Sequence, residues 1–242
     1  MSPVVNHYAN HLGPVYTWMA GGVESAVERG AAELSALNLP PSTGRVAVDL
    51  GAGFGMHAIP LARLRYTVLA IDSCAALLDE LRAQKGSLPI QVVEDDMLSF
   101  GRHLPEQAQA ILCMGDTITH LPDTESVLSL ISEVASALPA NGYFVVTFRD
   151  YSTALTADQR FIPVRSDENR ILTCFLEYAD THVTVHDLLH ECEATNWKLK
   201  VSSYRKLRLA PAWLAGTLES VGFLVRRESG MSGMVRLVAQ RV

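Results

Sequence analysis

Short apolar runs alternate with longer amphipathic stretches between residues 45 and 148. The short runs are rich in Val, Ile and Leu and predict five buried strands, at 45–50, 67–71, 90–93, 110–114 and 143–148. The stretches between them predict helices over 55–64, 73–83 and 123–138, the last with Asp123 or Thr124 as its N-cap. Strands that alternate with helices indicate βαβ units and a parallel sheet.

After residue 150 the predicted strands no longer alternate with helices. Strand-like stretches at 170–178, 182–191 and 196–209 follow one another without helices, which predicts an antiparallel meander. A helix over 211–221 and a hairpin of 223–228 and 234–239 complete the pattern.

The whole chain, 1–242, is therefore predicted to be one domain with two additions. Residues 1–42 form a helical cover, with a helix over 23–37 that Pro40 and Pro41 end. Residues 155–209 form an antiparallel lid inserted between the fifth strand and the final helix and hairpin.

Composition and charge argue against several classes of protein. Hydrophobic residues make up 48% of the chain and no apolar run reaches the ~18 residues of a membrane span, so we expect no membrane partner. A net charge of −6 makes nucleic acid an unfavourable partner. The N-terminus lacks a signal-peptide pattern, and four well-separated cysteines suit reduced thiols, so we expect a cytoplasmic protein without a zinc site.

The chemical signal is the segment 49–55, Asp-Leu-Gly-Ala-Gly-Phe-Gly, directly after the first strand. Glycines here allow a sharp turn and a close approach of the backbone to a nucleotide-like ligand. Asp72 ends the second strand and Asp96 follows the third, so all three segments lie at the carboxyl edge of the sheet. A plain strand-to-helix turn and an NAD site are the alternatives, but Met56 stands where an NAD fingerprint has Gly or Ala.

The 49–55 motif, with Asp72 and Asp96, resembles the first motifs of class I S-adenosylmethionine-dependent methyltransferases. The resemblance implies a Rossmann-like α/β fold, a seven-stranded, mostly parallel sheet whose final strand is reversed, here with the β lid inserted. It implies S-adenosylmethionine as the cofactor and S-adenosylhomocysteine as its product. By this resemblance the glycine loop, with Asp49, Gly51, Ala52 and Gly53, meets the methionine part of the cofactor, Asp72 meets the ribose, and Asp96 and Met97 meet the adenine. Ser73 and Met114 are further implied cofactor-binding residues.

A narrower resemblance concerns the segments 111–123 and 148–151, which are similar to those after the fourth and fifth strands of glycine N-methyltransferases. Asp116 stands where that family has an amide. The resemblance implies that Arg149 holds a substrate carboxylate, and hence N-methylation of a small amine that bears a carboxylate. O-methylation of a hydroxyl or carboxylic acid, and an inactive cofactor-binding module, remain as alternatives.

Four further side chains are candidates for the site. Tyr16 and Trp18 either cover the substrate or pack an amphipathic helix into the core. His120 and Asp116 either take a proton or hydrogen-bond the substrate, unless His120 only caps the next helix. Arg149 could alternatively form a surface ion pair with Asp150.

Three sets of polar residues are expected on solvated surfaces. His182, His186 and His190 share one face of a strand at intervals of about 13 Å, too far apart for one metal ion. The basic residues of 196–209 predict an exposed strand face rather than a nucleic-acid strip: Lys198, Lys200, Arg205, Lys206 and Arg208. His7 and His11 are expected on an exposed first turn. The sequence leaves the oligomeric state open, a homo-oligomer included.

Overall fold

The computed structural model describes residues 3–37, 39, 44–194 and 196–242. The strands of these residues form a seven-stranded and a four-stranded sheet. In chain order they are β1 (Val46–Leu50), β2 (Thr67–Asp72), β3 (Ile90–Glu94), β4 (Ala108–Cys113), β5 (Tyr143–Phe148), β6 (Phe161–Ser166), β7 (Arg170–Tyr178), β8 (His182–Glu193), β9 (Asn196–Leu207), β10 (Phe223–Ser229) and β11 (Val235–Arg241).

The larger sheet has the order β10-β11-β5-β4-β1-β2-β3. Strands β1 to β5 run parallel, and β11 is antiparallel to both β5 and β10. Every residue of β1 and β4 is buried, because the sheet is covered by helices on both faces. The predicted Rossmann-like α/β fold with a reversed final strand is confirmed.

Seven α-helices are present in the described residues, and five of them cover the two faces of this sheet. The seven are α1 (Pro3–His7), α2 (Gly13–Met19), α3 (Val23–Leu37), α4 (Ala58–Arg63), α5 (Ala75–Gln84), α6 (Thr124–Ala137) and α7 (Pro211–Ser220). Helices α3, α4 and α5 pack on one face, and α6 and α7 pack on the other. As predicted, Asp123 is the N-cap of α6, where its carboxylate accepts a hydrogen bond from the Ser126 N–H at 2.8 Å. Helix α4 begins three residues later than predicted, because the glycine-rich turn extends to His57.

The smaller sheet, β6-β7-β8-β9, is antiparallel throughout and is the expected lid. It has four strands where the sequence predicted three. The additional strand β6 contains Pro163, which obscures its pattern and lies beside a β-bulge. The inner face of this lid packs on Tyr151 and on the N-terminal segment.

The N-terminal segment consists of α1, a π-helical turn over Tyr8–Leu12, α2 and α3. The prediction that His7 lies on an exposed turn is wrong, because α1 docks on the lid and His7 is buried. Its Nδ1 lies 2.8 Å from the Ser202 hydroxyl, and its Nε2 lies 3.0 Å from an Asp187 carboxylate oxygen. Helix α3 ends at Leu37, and the predicted stop at Pro40 and Pro41 lies outside the described residues.

No helix within the described residues combines the length and apolarity that crossing a membrane requires.

Candidate active site

A cavity of about 430 Å³ lies between the carboxyl edge of the parallel sheet, the N-terminal segment and the lid. The sheet edge contributes the predicted residues Gly51, Gly53, Asp72, Ser73, Asp96 and Met97. The segment after β4 also lies at this edge, and the remaining lining residues come from α1, the turn after it, α2, β8 and β9. The cavity therefore lies where open α/β sheets bind ligands.

The glycine turn approaches its neighbours too closely for a side chain. Gly51 has φ +74°, and a Cβ there would lie 2.4 Å from the Thr117 Cγ2 atom. The N–H groups of Gly51 and Ala52 both donate to the Ile71 carbonyl at 2.9 Å, which fixes the turn against β2. Glycine is thus required for both conformation and space.

Asp72 joins the glycine turn to the start of α5. One carboxylate oxygen accepts from the Gly53 N–H and the other from the Cys74 N–H, each at 2.8 Å. Burial raises the pKa of this carboxyl, while its backbone N–H donors oppose that rise. Asp72 lines the cavity, so an acceptor for hydroxyl groups faces the ligand space.

The end of β3 forms a second polar wall. Asp96 caps a 3₁₀ helix over Met97–His103 by accepting from the Leu98 N–H at 2.9 Å. Asp95 also lines the cavity, and its carboxylate lies 2.7 Å from His103 Nε2. The His103 contact and the Asp96 backbone N–H lower the pKa of Asp95. Anionic acceptors therefore face this end of the cavity.

Three predicted cofactor residues, Asp49, Ala52 and Met114, are buried beside the cavity but do not line it. Asp49 lies at the end of β1, and one of its carboxylate oxygens has no hydrogen-bond partner within the described residues. Burial raises the pKa of Asp49 to about 6, although His57 and the Ala58 N–H lower it. Its charged form is therefore disfavoured in the folded protein.

This raised pKa predicts a pH-dependent effect of Asp49→Asn on stability. The unfolded carboxyl ionises near its ordinary pKa of 3.8 and the folded one near 6, so the ionised group destabilises the fold as pH rises. We expect the gain in unfolding free energy from this substitution to be roughly 1 kcal/mol larger at pH 8 than at pH 5. Urea denaturation of both proteins at the two pH values measures it. An equal effect at both values would contradict the raised pKa.

His120 and two tyrosines form an aromatic part of the cavity wall. His120, Tyr8 and Tyr16 line the cavity, and His120 Nε2 lies 3.3 Å from the Tyr8 hydroxyl. His120 Nδ1 is buried and has no hydrogen-bond partner in the described part of the chain. Burial, followed by the charges of Lys206 and His7, lowers the pKa of His120 well below 6.5. A neutral imidazole is therefore available at neutral pH.

Three predicted substrate or catalytic residues, Arg149, Trp18 and Asp116, do not line the cavity. The Arg149 guanidinium instead donates to the Ser232 carbonyl at 3.2 Å, because the chain after β5 turns its side chain toward the β10–β11 hairpin. The Trp18 indole donates to Asp167 at 2.5 Å and packs under the Arg170 guanidinium, so it fastens α2 to the β6–β7 hairpin of the lid.

Asp116 is buried with a left-handed backbone, φ +73°. Its carboxylate accepts from the Arg149 N–H at 2.9 Å, from the Tyr151 hydroxyl at 3.1 Å and from the Lys206 ammonium. The prediction that Lys206 lies on a solvated face is therefore wrong. Through these contacts Asp116 joins the sheet to the lid. Its partner Lys206 is 90 residues away in the chain, so the ion pair could not be predicted from the sequence.

Sequence reasoning missed several lining residues, among them Tyr8, Thr117, His182 and Arg205. His182 lies beside the Pro122 carbonyl, with its Nε2 at 2.9 Å. Arg205 belongs to the basic stretch that the sequence assigned to solvent. It is exposed at the cavity, and it forms no ion pair with any residue that the structure describes. No group of three metal-ligating side chains converges anywhere among the described residues.

The cavity fits S-adenosylmethionine on its own chemistry. Gly51 and Gly53 leave space at the turn, Asp72 offers carboxylate oxygens for ribose hydroxyls, and Asp96 lies where an adenine amine could donate. Tyr8 and Tyr16 present aromatic surfaces, which attract cations such as a sulfonium.

Comparisons with known proteins agree with this assignment. A family profile described as a methyltransferase domain matches residues 47–142. A glycine/sarcosine N-methyltransferase of Aphanothece halophytica is 28% identical over 76 residues, which are 31% of this chain and 29% of that protein. The chain thus spans less than a third of this curated relative.

Two solved structures share the fold over nearly the whole chain. The CcbJ methyltransferase from Streptomyces caelestis has a TM-score of 0.77 at 19% identity and covers 97% of this chain and 98% of its own. CalS10 from Micromonospora echinaspora, an amino pentose methyltransferase bound to S-adenosylmethionine, has a TM-score of 0.73 at 14% identity and covers 96% and 97%. Residues 47–142 therefore match a methyltransferase domain, and the chain has the fold of these solved methyltransferases over nearly its whole length.

Proposed function

We propose that this protein transfers a methyl group from S-adenosylmethionine to a nitrogen atom of a small molecule that carries a carboxylate. One observation carries the proposal: the same cavity is lined by the glycine turn and Asp72 and also by Tyr8, Tyr16, His120 and Arg205. The first set fits the cofactor and the second leaves room for a substrate.

When bound, the cofactor supplies an electrophilic methyl group on a sulfonium, whose loss leaves a neutral thioether. The residues of this chain then have to align the substrate and exclude water. An amine must be neutral to attack and must lose a proton afterwards. His120, whose lowered pKa keeps it neutral, can accept a hydrogen bond from such a group and so orient it.

Arg205 is the cation that supports a carboxylate-bearing substrate. We assign to Arg205 the role that the sequence had suggested for Arg149. The Arg149 guanidinium donates to the Ser232 carbonyl and does not line the cavity. A guanidinium binds a carboxylate through two parallel hydrogen bonds. The names of two relatives, which refer to glycine, sarcosine and an amino pentose, support an amine as the acceptor.

O-methylation remains a second candidate, because His120 lines the cavity and could remove a proton from a hydroxyl. Substrates that contain a hydroxyl but no amine distinguish the two reactions.

The test is a screen of small amines and acids, with S-adenosylhomocysteine formation as the readout and calorimetry for binding of S-adenosylmethionine and NAD. We expect the sulfur cofactor to bind, NAD not to bind, and turnover with amines that carry a carboxylate. Arg205→Gln should then raise the substrate KM about 10- to 100-fold without changing cofactor affinity.

Arg149→Gln is the matched control, since its guanidinium lies outside the cavity, and it should leave KM near the wild-type value. Substrates that all lack an acidic group, or an equal effect of both substitutions, would contradict the carboxylate assignment. Cofactor binding without turnover for any compound would favour a binding module.

A further inference from the structure

One part of the outer face of the lid is rich in apolar side chains, which come from β6, β7, β8 and β9. The strand registers place rows of opposing residues on this face, including Leu199–His190–Ile171 and Val201–Leu188–Thr173–Pro163. Five large side chains on it are 40–55% exposed: Trp197, Leu199, Val201, Ile171 and Phe161. We call these five side chains the lid patch.

Strand β9 shows that the patch differs from an ordinary solvated surface. Near its start, Lys198 and Lys200 point to the opposite face and pair with Glu193 and Glu191. Trp197, Leu199 and Val201 alternate with these lysines and are apolar. One face of the same exposed strand is thus charged and the other apolar, the pattern of a strand that is covered on one side.

The size of the patch is that of an interaction surface. An aromatic side chain such as Trp197 or Phe161 offers roughly 150–250 Å² and an aliphatic one less, and all five are about half exposed, so the lid patch exposes on the order of 400 Å². Contiguous apolar patches of more than a few hundred Å² are typical of protein interfaces. If two copies joined through this patch, the total surface buried on both, with half-buried neighbours such as Leu188 and Phe175, would approach about 1,200 Å². Stable protein interfaces begin at about this buried area.

We propose that the lid patch binds the lid patch of a second copy of this chain, across a two-fold axis. The five side chains of the lid patch are uncharged, whereas Glu177 and Arg205 lie on the same face one row beyond Phe161, at the edge of the patch. The apolar centre therefore suits an uncharged partner surface, and two copies can meet there despite a net charge of −6 each. A two-fold contact requires a surface that complements itself, and an apolar sheet face meets that requirement. Two such faces pack about 10 Å apart, as in a β-sandwich.

Sedimentation of the full chain over a range of concentrations tests the proposal. We expect a particle of twice 26.4 kDa for the wild type and of 26.4 kDa for Leu199→Glu, because a dimer would bury the new carboxylate without a partner. Leu224→Glu is the matched control: Leu224 is 67% exposed but lies on β10, outside the lid, and this variant should remain a dimer. Circular dichroism should show that both variants are folded.

A wild type that is monomeric at about 100 μM, far above the Kd of a stable interface, would overturn the proposal. A dimer that survives Leu199→Glu, or that is lost equally in Leu224→Glu, would also overturn it, since the contact would then lie elsewhere.

Discussion

Removing the Lys206 ammonium should lower the free energy of unfolding by about 3–5 kcal/mol, since it leaves a buried carboxylate without its cation. Lys206 and Asp116 are both buried, and their ion pair joins β9 of the lid to the segment after β4. Typical domains are stable by only about 5–15 kcal/mol, so Lys206→Met should lower the denaturation midpoint markedly. Urea denaturation measures the change.

The exposed ion pair between Lys198 and Glu193 provides a matched control on the same strand. Lys198→Met should reduce the unfolding free energy by less than about 1 kcal/mol. The double variant Asp116→Asn with Lys206→Met should lose less unfolding free energy than the sum of the losses in the two single variants, because it leaves neither charge unpaired. A loss below about 1 kcal/mol for Lys206→Met would show that water reaches this pair.

The secondary structure could be predicted from the sequence, whereas the ion pair between Lys206 and Asp116 could not. The parallel sheet followed from strands of Val, Ile and Leu between amphipathic helices, and the Asp123 cap followed from a local hydrogen-bonding rule. Local patterns of this kind determine elements and their order. They also placed Gly51, Asp72 and Asp96 at one sheet edge, because the carboxyl ends of parallel strands share an edge.

The substrate side of the cavity depends on contacts between distant segments. Tyr8 meets His120 across 112 residues, and His7 meets Ser202 across 195. The alternation in β9 correctly separates two faces, but which face meets the body of the protein depends on how the lid is docked. For this reason Lys206 was assigned to solvent and is buried, whereas Arg205 reaches the cavity.

The cofactor side permits the second large prediction. We expect Asp72→Ala to weaken S-adenosylhomocysteine binding at least tenfold, as calorimetry would show. A hydrogen bond to a charged group contributes about 1.5–3 kcal/mol, and the Asp72 carboxylate lines the cavity at the expected position of the ribose. The substitution also removes the acceptor for the Gly53 and Cys74 N–H groups, so the glycine turn loses an anchor.

A ligand change separates the ribose contact from this loosening of the turn. In the wild type, an analogue of S-adenosylhomocysteine that lacks one ribose hydroxyl should bind about ten- to a hundredfold more weakly than the parent compound, because a charge-assisted hydrogen bond is lost. In Asp72→Ala the two ligands should bind with nearly equal affinity, since the carboxylate that distinguishes them is gone. If the variant instead discriminates as strongly as the wild type, the ribose binds elsewhere and Asp72 acts only through the turn. Asp72→Asn should discriminate between the two ligands less than the wild type and more than Asp72→Ala. Its amide oxygen still accepts one hydrogen bond, but the negative charge that strengthens this bond is absent.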